Sequence, residues 1–363
     1  MRFIDLQAQY RAYQPAIDAA IRAVLESASF INGPQVAQLE AELARFVGVD
    51  HAVGFASGTD GLLAVLMAWG IGPGDEVITP AFTFIATAEV IALLGAKPVF
   101  VDVDPDTLNL DPSHLEAAIT ARTRAIVPVS LYGQCADLEA INAVAARHGL
   151  QCLEDGCQSF GASQQGRRSC GLSAAGVTSF FPAKPLGCYG DGGMAFTNDG
   201  ALAERLRVIR EHGQVARYQH AVLGFNGRLD TIQAAVLLAK LPYFEAEIAA
   251  RQRVADYYQT RLAGRVRLPV VLPGNQSVYA QFTIQTPHRD AVQHHLALLG
   301  IPTAIHYPAP LHRQPIFSDL GHPEEAFPVA TQAAQEVLSL PMHPFLATEE
   351  QDRVVDALLH VLP

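Results

Sequence analysis

The chain has 363 residues, half of them apolar and 17% charged, with a formal charge of −11. That composition excludes a disordered chain and predicts one large α/β domain with a smaller companion. The negative charge argues against a nucleic-acid or anionic-membrane partner, because phosphate surfaces demand clustered Lys and Arg. Any anionic ligand must be held by a few local donors.

The opening decapeptide MRFIDLQAQY lacks the apolar stretch of a secretory signal. Thr87–Leu94 is too short to span a bilayer. The five cysteines (Cys135, Cys152, Cys157, Cys170 and Cys188) are odd in number and contain no C-x-x-C pair. Reduced thiols and a cytoplasmic location are therefore expected.

Helical periodicity appears first across Ala16–Leu25 and Val36–Phe46, separated by Asn32-Gly33-Pro34. Strands are then predicted at His51–Phe55, Glu76–Thr79, Pro98–Val103, Ala125–Val129, Gln151–Leu153, Val177–Phe180 and Gly193–Thr197. Helical runs at Leu62–Trp69, Ala86–Leu94, Leu115–Ile119 and Leu138–Ala146 separate them. Strands alternating with helices imply crossover connections and a mostly parallel sheet. Beyond Gly200 the pattern predicts helices at Leu202–His212, Thr231–Leu241 and Phe244–Leu262. There follow a strand at Ser277–Thr286, a helix at Asp290–Leu299 and a strand at Pro302–His306. The last predicted helices are Gln332–Leu338 and Glu349–Leu359. A domain boundary falls near residues 240–265, giving a large domain over 1–245 and a small one over 246–363. The N-terminal helices are candidates to pack on the small domain.

Of 25 basic residues only three are lysine: Lys97, Lys184 and Lys240. A retained lysine offers a deprotonatable amine, which guanidinium cannot. Lys184 follows an apolar strand, stands between Pro182 and Pro185, and precedes a glycine-rich turn. Apolar neighbours would favour its neutral, nucleophilic form; a loop lysine reaching solvent is the alternative. Lys97 and Lys240 suit structural roles.

Asp155, at the end of a predicted buried strand, points to the crevice where such sheets bind ligands. It could hold a pyridinium nitrogen or simply cap the following turn. Ser57-Gly58-Thr59 opens a helix after a strand and can cradle a phosphate. Phe84 can stack on a flat ring or pack in the core. Arg228 suits a carboxylate or phosphate, or an ion pair with Asp230 or another acid. His306 is a ligand contact or a satisfied core group. The sequence holds no HExxH, zinc-like cysteine spacing, G-x-S-x-G elbow or GxGxxG after a strand. No metal, serine-hydrolase or NAD chemistry is therefore predicted.

In order, the chain presents Ser57-Gly58-Thr59, Phe84 after a strand, Glu154-Asp155…Gln158-Ser159, Ser179…Lys184…Gly192-Gly193 and Asn226-Gly227-Arg228-Leu229-Asp230. This succession resembles the DegT/DnrJ/EryC1/StrS aminotransferases, pyridoxal-phosphate enzymes that aminate keto sugars attached to nucleotides. The likeness runs from Phe30-Ile31-Asn32-Gly33-Pro34 to Leu340-Pro341-Met342-His343-Pro344. Pro128–Asp137 and Ser179–Gly193 look most like the subgroup acting on UDP-2-acetamido-2-deoxy-ribo-hexuluronate, which serves O-antigen biosynthesis.

The resemblance implies the type I, aspartate aminotransferase-like fold: a mostly parallel seven-stranded sheet flanked by helices, with a smaller C-terminal α/β domain. Lys184 would hold the cofactor aldehyde covalently and shuttle a proton. Asp155 would hold the pyridinium, Gln158 would lie on its hydroxyl side, and Phe84 would stack on its face. Gly58, Thr59 and Ser179 would bind the phosphate, and Asn226 the phosphate of a neighbouring subunit in a homodimer with shared sites. Arg228, His306 and Tyr307 would contact the sugar and its carboxylate. Ala28 and Phe30 would lie against the nucleotide. Ala183 replaces the subgroup's usual Ser, removing one substrate hydrogen bond, and Gly156-Cys157 replaces the commoner Ala-Ala. The implied partners are a nucleotide sugar and an amino-acid donor, glutamate first. The alternatives are amination at C4 or C3 of a neutral dTDP-, UDP- or GDP-linked sugar, or a noncatalytic nucleotide-sugar-binding regulator.

Overall fold

The computed structural model describes residues 1–362. Its centre is a sheet of seven strands: β1 His51–Phe55, β2 Glu76–Pro80, β3 Lys97–Val101, β4 Thr123–Ile126, β5 Gln151–Asp155, β8 Ala175–Ser179 and β9 Gly193–Thr197. Two-residue strands β6 Ser163–Gln164 and β7 Arg167–Arg168 form a side ribbon with β12 Asn275–Gln276. Strands β10 Gln214–Ala216 and β11 Gln219–His220 make a hairpin, and β13 Phe282–Gln285 pairs with β14 Val337–Leu340.

The main sheet runs β1-β9-β8-β5-β4-β2-β3. Strands β8, β5, β4, β2 and β3 pair in parallel, while β9 lies antiparallel to both β8 and β1. The fold is α/β, as expected. Parallel strands packed on both faces must be apolar throughout, and Val53, Phe55, Val77, Ile78, Leu153 and Val177 are fully buried. Helix α2 Pro34–Val47 precedes β1, and helices α3 Gly58–Ala68 and α4 Ala86–Leu93 follow β1 and β2. This arrangement brings the ends of β1, β2, β5 and β8 and the start of β9 to one edge.

A separate apolar cluster joins Val254, Tyr258 and Leu262 to Phe282, Ile284, Leu338, Leu340, Val354 and Leu358, with Met1 packed against it. Helix α1 Leu6–Ser27 crosses to pack on the helix Thr231–Lys240. Among the described residues no helix is long and apolar enough to cross a membrane.

Several expected elements shift. Helix α1 starts ten residues before its predicted start and continues through Pro15, which reads locally as a start signal. The predicted strand Ser277–Thr286 shortens to β13. Pro302–His306 forms no strand, only a bridge between Ala304 and Ser339. The predicted helix Gln332–Leu338 is instead Pro328–Glu336, followed directly by β14. Val337 and Leu338 continue the apolar spacing of Ala333 and Ala334. Pairing with β13, some 55 residues away, turns them into strand, and local periodicity does not contain that information.

Candidate active site

The gathered strand ends carry the polar groups. After β1 the backbone passes through Ser57, extended at φ −156° and ψ 167°, whose hydroxyl accepts the Asp60 N–H at 3.0 Å. This cap starts α3 and leaves its first-turn amides at Gly58 and Thr59 without intrahelical acceptors, a geometry able to bind an anion. A Cβ at Gly58 would lie 2.8 Å from Cys157 Sγ and 2.9 Å from Ser179 Cβ. One at Gly193 would sit 2.4 Å from the Ser57 carbonyl. These two glycines bring the helix start, Cys157 and Ser179 together into a backbone-lined cradle.

Asp155 closes β5 and is 4% exposed. Its Oδ2 accepts the Thr87 hydroxyl at 2.7 Å and its Oδ1 the Cys157 N–H at 3.1 Å. The turn-capping alternative is thus partly realised, yet each oxygen keeps a lone pair for a further donor. The neighbouring Glu154 points the other way. Fully buried, it accepts from Ser130, Ser169 and the Cys170 N–H at 2.6–2.8 Å. Burial pushes its carboxyl above the usual range, and those donors oppose the shift.

Gln158 is pinned at both ends of its amide. Its Oε1 accepts the Tyr132 N–H at 3.0 Å and its Nε2 donates to the Tyr307 hydroxyl at 3.1 Å. Tyr307 lies 5.9 Å from the Phe84 ring and 6.3 Å from Phe82. Burial and then the Asp155 charge push the Tyr307 phenol up, so it stays a donor at neutral pH. Phe84 is 53% exposed and open to stacking, so it is not a core residue.

Lys184 is half-buried in the turn after Phe181, with Ala183 half-buried beside it. Its charge bears on both Cys157 and His306. Burial, and then Lys184, hold the His306 imidazole below its ordinary value, so it is neutral at pH 7.

The remaining expected residues form a second group. Ala28 ends α1 in the left-handed region and is exposed, as is Phe30. Their segment lies beside Asp230 and Thr231, through the Thr231 N–H to the Phe30 carbonyl at 3.0 Å. Asn226 is exposed. Arg228 pairs with Glu211 at 3.0 Å, not with Asp230, and its Nε is buried without a partner. The Ala56 N–H to Gly227 carbonyl bond, 2.8 Å, ties this group to the cradle. The contacts of Arg228 run to Glu211 and not to Lys184 or Asp155.

Sequence reasoning passed over Thr87, Tyr132, Glu211, Thr283 and Ser339. A signal existed for two of them: Thr87 is a buried hydroxyl in the apolar run Ala86–Leu93, and Ser339 interrupts Val-Leu-Ser-Leu.

The chemistry of the donor set fits pyridoxal phosphate. An amide cradle stands ready for a phosphate and an exposed aromatic face for a ring. A buried carboxylate with spare lone pairs suits a pyridinium, and a lysine amine lies beside them. A family model described as the DegT/DnrJ/EryC1/StrS aminotransferase family matches residues 12–359. The chain belongs to this family. Members of the DegT/DnrJ/EryC1/StrS family are pyridoxal-phosphate-dependent sugar aminotransferases. The chain is 56% identical over 350 residues to the UDP-2-acetamido-2-deoxy-3-oxo-D-glucuronate aminotransferase of Pseudomonas aeruginosa, covering 96% of each chain. It is 48% identical to a pleiotropic regulatory protein of Geobacillus stearothermophilus, covering 98% of this chain and 96% of that one. Among solved structures, S. venezuelae DesV in complex with a ketimine intermediate aligns with a TM-score of 0.97 and 43% identity. That alignment covers 99% and 97% of the two chains.

Proposed function

We propose that this DegT/DnrJ/EryC1/StrS member moves an amino group from an amino acid, glutamate first, to the C3 keto group of UDP-2-acetamido-2-deoxy-3-keto-glucuronate. The observation that carries this reading is the 56% identity to the Pseudomonas aeruginosa enzyme across nearly all of both chains.

Gly58, Thr59 and Ser179 would hold the cofactor's phosphate. Asp155, steadied by Thr87, would hold its ring nitrogen, Gln158 would lie on the hydroxyl side, and Phe84 would lie on its face. When bound, pyridoxal phosphate supplies an electron sink for the carbon that gains or loses the amine. Lys184 would hold the cofactor between turnovers, take the proton from the donor's α-carbon in the first half-reaction, and deliver one to sugar C3 in the second. Arg228, His306 and Tyr307 would face the sugar, and Ala28 and Phe30 the nucleotide. Ala183, without a hydroxyl, would pack against the sugar.

Asn226 would serve a second copy of the chain in a homodimer. Its neighbourhood supports this reading, since Tyr218 is 79% and Leu223 88% exposed on and beside the β10–β11 hairpin. The division into residues 1–245 and 246–363 is supported by the separate C-terminal cluster. A cytoplasmic location agrees with five free cysteines. We attach the reaction to surface-polysaccharide sugars such as those of O-antigen.

A neutral keto sugar is the second reading, because Glu211 already balances the charge of Arg228. The test loads the enzyme with amino donor and offers UDP- and dTDP-linked keto sugars, with and without a carboxylate. The uronate should restore the cofactor's aldehyde absorption, and Arg228→Ala should raise its KM roughly tenfold while sparing neutral sugars. Recovery of the aldehyde absorption with a neutral keto sugar and not with the uronate would replace the first reading with the second.

A further inference from the structure

Two hydroxyls stand opposite one another inside the apolar C-terminal core. Thr283 on β13 and Ser339 on β14 are direct cross-strand partners, 4% and 0% exposed, with oxygens 2.9 Å apart. They are flanked by Phe282, Ile284, Leu338 and Leu340, all fully buried. Buried hydroxyls demand partners, and these two lead outward. Ser339 Oγ lies 2.9 Å from His306 Nδ1. The Thr283 hydroxyl lies against the buried Tyr132 phenol, which in turn donates to the His306 carbonyl.

The direction of this ring of bonds follows from its last acceptor. A carbonyl only accepts, so Tyr132 must donate there, and its oxygen is left to accept from Thr283. Thr283 then accepts from Ser339, and Ser339 from the imidazole. Every hydroxyl donates once and accepts once. The reverse direction leaves the phenol oxygen without a donor.

We propose that Thr283 and Ser339 form a tautomer lock for His306: they hold the imidazole proton on Nδ1 and leave Nε2 as an acceptor nitrogen on the side of Lys184. Ser339 is thus a positioning residue, and the inference rests on His306 facing the sugar as read above. It also deepens that reading. Nε2 takes a hydrogen bond from a sugar hydroxyl or an ammonium group. A carboxylate, which at neutral pH only accepts, does not fit it, so recognition of a uronate carboxylate falls to Arg228.

Besides Lys184, the titratable groups facing the ring are the phenols of Tyr132 and Tyr307, and burial raises both, so they keep their protons through the neutral range. The test is nitrogen NMR on the full-length holoenzyme labelled at histidine, with His306 assigned from His306→Gln. The parent should show a protonated Nδ1 and an acceptor Nε2. Thr283→Val keeps the side-chain shape but removes the acceptor for Ser339, whose hydroxyl then turns to Nδ1 and moves the proton to Nε2. Ser339→Ala should leave a mixture. In both variants kcat/KM for the keto sugar should fall roughly tenfold, while the amino-acid half-reaction stays within about twofold. A parent with its proton on Nε2, or variants with unchanged nitrogen signals, would overturn the proposal. If the lock is seen but no keto sugar nucleotide reacts, the lock stands and the substrate reading falls.

Discussion

Lys184 and Lys240 bracket one glycine-rich turn from opposite sides and live in opposite environments. Lys240, at the end of the helix Thr231–Lys240, is 3% exposed. Its Nζ donates to the Gly187 carbonyl and lies 5.4 Å from the centre of the Tyr189 ring. Burial pulls its amine down to about 8, against the opposing pull of Glu247. Lys184 is half-buried, and its amine faces the cradle side of the turn near Cys157 and His306. The apolar enclosure expected for Lys184 is therefore found at Lys240, where it makes a strut. A lowered amine value alone does not mark the reactive lysine here. Under the proposed assignment the marker is an amine placed among the groups that would hold the cofactor's ring and phosphate, with no structural duty of its own.

The strongest way to break this comparison is to exchange the two roles. Lys184→Ala should lower transamination at least 10³-fold and abolish the visible absorption of the bound cofactor, while Lys240→Met keeps that absorption. Visible spectra of both purified variants decide it, and an active Lys184→Ala enzyme would sink the assignment.

Next in size is the carboxylate that serves the same site. Asp155→Asn should cost roughly 10²-fold in kcat, with amino-donor KM changed little, because an amide cannot balance a pyridinium charge. Glu154→Gln, which alters a carboxyl already saturated by its own donors, should be felt mainly in melting temperature.

A smaller effect is expected at the cradle. The Cβ of Gly58→Ala would collide with Cys157 and Ser179, so cofactor affinity should fall about tenfold by equilibrium dialysis, with secondary structure unchanged.

The smallest effect sharpens the reading of Lys240. The folded amine loses its proton near 8 and the unfolded one near 10.5, so the folded state binds fewer protons between those values. Stability of the parent should therefore rise with pH across that window, by about 1 kcal/mol between pH 7 and 9, relative to Lys240→Met. Denaturant melts at several pH values measure the slope; parallel curves for the two proteins would show that the amine is not desolvated.

The residues that sequence order made legible share one property: each acts through its own backbone or a near neighbour. In the proposed site Gly58 and Thr59 would work through helix-start amides, Asp155 through its place at a strand end, and Lys184 through the turn that bears it. The residues that escaped act across long separations. Thr87 reaches Asp155 over 68 positions and Ser339 reaches His306 over 33. Arg228 was foreseen as a charge, but its partner was not; Glu211 lies 17 positions away, beyond the turn that the sequence presents.

Alternating apolar segments determined by themselves a mostly parallel α/β sheet, and the scarcity of lysine with the spacing of glycine, aspartate and arginine picked out candidate site residues along its edge, because both depend on interactions within a few residues. The tertiary structure alone decided that β14 is a strand, that Lys240 rather than Lys184 lies in the apolar enclosure, and that a serine 33 positions away holds His306. Those outcomes depend on which distant surfaces meet, and burial and hydrogen-bond direction take their values only after that meeting.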